Sequence, residues 1–159
     1  MKIITLLAAS GALAIGATSQ AAAGAFTPRS ARFSATGQAG LGAQGGMSIS
    51  CILTIKGKTT RGGRAKITSA QFSGSDARCA STTFMGLPWR TRAGGSSGGV
   101  GAATIFNVAV ASAVTGACGP GQAPVQVFSN GGWNIVTSLP PACSFSAVLQ
   151  TSPSITVGP

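Results

Sequence analysis

Five positive charges, Lys56, Lys58, Arg61, Arg64 and Lys66, fall within the eleven residues KGKTTRGGRAK. A run this dense can hold the phosphates or carboxylates of a polyanion, with an affinity that falls as salt rises. No aromatic residue interrupts the run to stack on bases, so sequence readout of a nucleic acid is not expected. The competing use is structural, since charged hairpin tips keep sheet edges from pairing with one another. Lysine can also serve as a base, but no motif around Lys56, Lys58 or Lys66 supports a Ser–Lys dyad.

Composition closes most other chemistry. Histidine and tyrosine are absent and Asp76 is the only acidic residue. A Ser-His-Asp triad or Cys-His pair therefore cannot form, and one carboxylate cannot make a glycosidase pair. Zinc and calcium sites lack their usual ligands. We expect no catalytic residue, no metal and no cofactor. The sequence argues for a protein that is not an enzyme.

The four cysteines, Cys51, Cys79, Cys118 and Cys143, fit no C-x-x-C motif. An even number in an exported chain reads as two disulfides, with three possible pairings. Cys51–Cys79 with Cys118–Cys143 is the pairing local in sequence. Each such loop would stabilise the fold by about 3 kcal/mol in the chain-entropy view.

These groups must be positioned by the rest of the chain. Residues 1–23 begin with Lys2, pass through an Ala/Leu/Ile stretch and reach A-x-A sites at 21–25, the pattern of a secretory signal peptide. That leaves a secreted domain over residues 24–159, with no transmembrane segment expected and ten basic residues against Asp76. Period-two alternation marks strands at 48–55, 104–110, 124–128, 143–149 and 154–157. In the second of these, Phe106, Val108 and Val110 share a face opposite Asn107. Asn130-Gly131 before Trp133 is a hairpin signal. The Gly/Ser run at 94–99 reads as a loop, and Gly119-Pro120-Gly121 and Pro140-Pro141 as breaks. The fold class expected is all-β: a single disulfide-stapled antiparallel β-sandwich or barrel. The segment 24–44 is either an ordinary first strand or a loose arm able to complete a neighbour's sheet.

Phe33, Cys51 on its alternating strand, Phe72-Ser73-Gly74 before Cys79, and Gly86-Leu87-Pro88-Trp89 together resemble the bacterial alkane-oxidation activator (PraB-like) family of small exported proteins. The resemblance spans roughly residues 26–159 and is pinned mainly between Phe33 and Trp89. It implies a role at the cell surface or in the biofilm matrix, linked to growth on hydrocarbons, and implies no catalytic residue. The basic run departs from the family's more neutral tip.

Two functional expectations follow. One is a cell-surface or matrix protein in the periplasm, on the cell or outside it. It would touch anionic polysaccharide, lipid headgroups or extracellular DNA through Lys56, Lys58, Arg61, Arg64 and Lys66, and self-associate into fibres by strand donation. The other is a binding module for a hydrophobic small molecule lined by Phe72, Phe84, Leu87 and Trp89, which ordinary core packing explains equally well. A cationic protein directed against other cells is a third option, resting on charge alone.

Overall fold

The computed structural model describes residues 23–43 and 46–159. The signal peptide expected over 1–23 lies, except for its last residue, outside the described residues.

Eleven strands and one helical turn follow one another: β1 (Ala25–Thr27), β2 (Arg32–Ala43), β3 (Ser48–Thr59), β4 (Arg64–Ser73), α1 (Ala77–Ala80), β5 (Thr83–Met85), β6 (Trp89–Ser97), β7 (Val100–Ser112), β8 (Gly116–Phe128), β9 (Gly132–Leu139), β10 (Cys143–Ser152) and β11 (Thr156–Gly158). Eight strands form an antiparallel wall in the order β7-β6-β4-β3-β2-β10-β9-β8, and pairing of β8 with β7 closes it into a barrel. The short β5 continues the wall beyond β6 by pairing with Ala109–Ala111 of β7.

Alternation decides what fills the barrel. In β3, Ile49, Cys51, Leu53 and Ile55 point inward, while β10 sends in Cys143, Phe145, Ala147 and Leu149. The interior is thus packed with apolar side chains, and the wall's charged groups lie outside. This is the reverse of a membrane barrel, whose apolar band faces outward. Among the described residues, no helix is long and apolar enough to cross a membrane.

One end is stapled and the other plugged. Cys51–Cys79 and Cys118–Cys143 both lie near the end that carries the β4–β5 and β9–β10 connections, with Cα separations of 5.7 and 6.1 Å. The sequence-local pairing is the one formed. At the opposite end β1 and β11 make a small two-stranded sheet, Phe26 facing Val157. Phe26, Trp133 and Ile155 are fully buried there, and Trp133 lies 5.5 Å from Phe33 and 6.4 Å from Phe26 between ring centroids. Two buried threonines tie the plug to the wall. The Thr59 hydroxyl donates to the Pro28 carbonyl and accepts from Ala31 N–H, and Thr151 accepts from Ile155 N–H while donating to the Gly131 carbonyl. Gly101 is needed beneath the plug, since a Cβ there would meet the Val157 side chain at 2.5 Å.

Several sequence expectations change. The segment 24–44 is no loose arm, because Arg32–Ala43 pairs on both sides, with β3 and β10. The Gly/Ser run lies mostly in β6, and only Gly98-Gly99 turns. Gly119-Pro120-Gly121 does not end a strand; β8 passes through it with register shifts against β7. The face expected for 104–110 is also altered. Asn107 adopts a positive φ of 61° within a bulge, so Ile105, Val108 and Val110 face the core and Phe106 does not.

Phe26 should therefore be a main support of the closed end. Phe26→Ala is expected to lower the unfolding free energy in urea, disulfides intact, by about 3–5 kcal/mol. The same change at the part-exposed Phe128 should cost far less; equal losses would deny the plug its role.

Candidate functional site

The basic run is not a tip. Only Arg61, with Gly62 and Gly63 at positive φ, occupies the turn between β3 and β4. Lys56 and Lys58 stand on β3, Arg64 and Lys66 on β4, all exposed on the barrel's outer face. That placement corrects the picture of a cluster projecting from a hairpin end.

Register extends the cluster beyond what was read. Arg32 of β2 lies opposite Lys58, Lys58 opposite Lys66, and Lys66 opposite Arg90 of β6. A second like pair, Arg64 and Arg92, lies one step along the same two strands. Four cations in one row thus cross four neighbouring strands, and at a strand spacing of about 4.8 Å the row spans roughly 14 Å. Like charges directly opposite in a sheet are mutually destabilising. Acidic neighbours do not relieve them, because Asp76 is the sole acidic side chain and is taken up elsewhere.

Asp76 caps α1. Its carboxylate accepts the Arg78 guanidinium and the Arg78 backbone N–H. Those hydrogen bonds, the side-chain ones foremost, hold its pKa down to about 2 and raise that of Arg78. A carboxyl depressed in the folded state stabilises above its unfolded pKa of about 3.9, and that contribution is lost as pH falls through about 2. The pair is partly exposed and lies on α1, so it is a local cap and leaves the cationic row uncompensated.

Two grooves score this face. The first, about 610 Å³, is lined by Thr60, Arg64, Lys66, Arg90, Arg92 and Phe106, among others. Phe106, turned out of the core by the bulge, is half-buried opposite Arg90. A second, about 660 Å³, follows β2 and β3 past Arg32, Lys56 and Lys58. Sequence reasoning missed Arg90, Arg92 and Phe106. The alternation of Trp89-Arg90-Thr91-Arg92 was a usable signal for outward arginines, but which strand lies beside β4 was not readable.

The residues proposed to line a hydrophobic site pack on one another. Phe72 and Phe84 meet edge to face at 4.8 Å, and Phe84 and Trp89 at 5.6 Å. All three are buried, with Leu87 against the same cluster. The Trp89 indole N–H donates to the Met85 carbonyl at 2.8 Å. Their rings occupy the space that a ligand would need.

The family model described as alkane oxidation protein activator PraA/PraB-like matches residues 1–159 of this chain. No curated protein and no solved structure matches it.

The second like-charge pair, Arg64 with Arg92, has an energetic signature. Arg92→Thr should raise stability at low salt by about 0.2–1 kcal/mol by removing a like-charge pair, and the gain should shrink in high salt. A loss of stability at low salt, seen in thermal melts, would mean that the pair is not repulsive.

Proposed function

We propose, from the premise that this chain belongs to the alkane oxidation protein activator PraA/PraB-like family, that it is a non-enzymatic exported protein of the cell surface or extracellular matrix. It works through its outer surfaces, gripping anionic polymer with the cationic face and associating with its own copies. The family is named for activation rather than for a reaction. The two disulfides fit an oxidising compartment.

The observation that carries this reading is the alignment of Arg32, Lys58, Lys66 and Arg90 in one row. An uncompensated row is a standing cost to the fold that a bound polyanion would relieve, with release of its counterions. Lys56, Arg61, Arg64 and Arg92 widen the same face. The hydrophobic-ligand alternative draws support from the family's link to alkanes, but Phe72, Phe84 and Trp89 already fill the space between them.

Self-association draws on the plug. β1 has three residues, one paired neighbour and a single anchoring side chain, Phe26. Its exchange onto β11 of a second copy would reproduce every contact it makes now, at the cost of straightening residues 28–31. Strand donation would use this segment, because Arg32–Ala43 is part of the barrel wall.

Two outcomes test the reading. Replacing Lys58, Arg61 and Arg64 by Ser should move elution from heparin to lower salt and flatten the slope of log affinity against log salt, by about 0.7–0.9 per lost phosphate-like contact. Unchanged elution would return these charges to a purely structural role. For assembly, the oxidised mature protein should form fibres or large regular particles by electron microscopy and size exclusion. Deleting Ala25–Thr27 should leave a folded monomer. Assembly that survives this deletion would rule out exchange of β1.

A further inference from the structure

The cationic face is not uniform. Resting on the polyanion-binding reading above, we propose that the groove between β4 and β6 is a binding site for acidic sugar, in which carboxylates of a linear polyuronate meet Arg64, Lys66, Arg90 and Arg92 while a sugar ring lies on Phe106.

Three features select this ligand class. The first is the donor set. Three arginines and one lysine, set as two directly opposed pairs, Arg64 with Arg92 and Lys66 with Arg90, converge on one groove. Guanidinium forks match the planar geometry of a carboxylate and bind it through two parallel hydrogen bonds. The second is Phe106. The bulge at Asn107 places it outside the core, half-buried, in the same groove and in register with Arg90. An aromatic surface beside cations suits a pyranose, whose C–H face is apolar and whose substituents are charged or hydroxylic. The third is spacing. Cations on neighbouring strands repeat at about 4.8 Å, close to the advance of one sugar along an extended polyuronate. The row toward Lys58 and Arg32 can therefore follow successive carboxylates of one chain.

Nucleic acid fits the same surface less well. Single strands are held by several aromatic platforms in succession, whereas Phe106 is the one aromatic in this groove. Duplex readout needs a helix or ribbon that enters a groove, and this surface is the flank of a barrel wall.

The protein's charge makes pH a clean probe. Histidine is absent, and the charged side chains of the lining are lysine and arginine alone. Asp76, the only acidic side chain, is engaged by Arg78 on α1 and lies outside this lining. A sugar carboxylate protonates in the range of an α-carboxyl, about 3.5; a phosphodiester stays ionised well below that.

The test uses the oxidised mature protein with three probes: a polygalacturonate oligomer, its methyl ester, and oligodeoxythymidylate of equal charge, each titrated by calorimetry at low salt. The acidic sugar is expected to bind at neutral pH, to weaken at least about tenfold near pH 3, and to lose its binding on esterification. Phe106→Ala should weaken it by about fivefold or more, taking aromatic stacking as the guide, and leave the oligonucleotide unaffected. Joint replacement of Arg64 and Arg92 by Ser should weaken both ligands, with an unchanged near-ultraviolet spectrum as the control for folding. If the oligonucleotide binds as tightly as the sugar and Phe106→Ala changes neither, the sugar site is wrong while the polyanion reading stands. If no polyanion binds, both fall.

Discussion

A closed barrel whose interior is filled by its own apolar side chains is the constraint from which the rest follows. With Trp133, Phe33, Leu53, Ile55, Phe145 and Leu149 occupying the inside, outward positions are the sites left for charge. Chain order then decides where on the outside it goes. Apart from Arg29 and Arg61 in connections and Arg78 in α1, the cations of the described residues sit on β2, β3, β4 and β6, which are neighbours in the wall. Residues 93–159, which build the last five residues of β6 and all of β7 to β11, contain no Asp, Glu, Lys or Arg. The barrel therefore has one strongly positive side and one uncharged side. That asymmetry needs no dedicated loop or pocket; it follows from which strands carry alternating basic residues and from the order in which antiparallel strands meet.

The ends of the barrel are closed by different means. At one end two disulfides shorten the unfolded chain's freedom, which suits a domain with many small residues and modest apolar side chains. At the other, the first and last strands among the described residues meet, so closure joins the two ends of the described domain. Phe26 supplies the apolar anchor, and Thr59 and Thr151 satisfy backbone groups where the chain leaves the wall. A terminus held by one side chain and three paired residues is secure within a monomer, yet short enough to be traded between copies. Fold closure and self-association would then draw on one small element.

Much of this was legible in the sequence. Strict alternation in 48–55 and 143–149 gave strands and their inward faces correctly, because each has one buried face and no bulge. The Asn130-Gly131 turn was readable for a local reason: Gly131 takes a φ of 82°, and the Asn130 side chain accepts Gly132 N–H. Cysteine pairing followed the local choice. What failed was non-local or subtle. The bulge at Asn107 shifts the phase of β7, so Phe106 left the core face that its spacing had assigned to it. The Gly/Ser run extends as strand because β7 pairs with it on one side, which composition cannot foresee. The candidate site was half legible. Five of its charges stood together in the sequence, but Arg90, Arg92 and Phe106 joined them only through the adjacency of β4, β6 and β7.

On the proposed reading, this protein works through the positive side of a filled barrel rather than through its interior. Amide chemical-shift mapping of the oxidised mature protein during titration with a polyuronate tests it most directly. Shifts confined to β4, β6 and the neighbouring parts of β2, β3 and β7, centred on Lys66, Arg90 and Phe106, are the predicted result. Shifts centred on Phe72, Phe84 and Trp89, or spread over the uncharged side around Val136 and Val148, would contradict it.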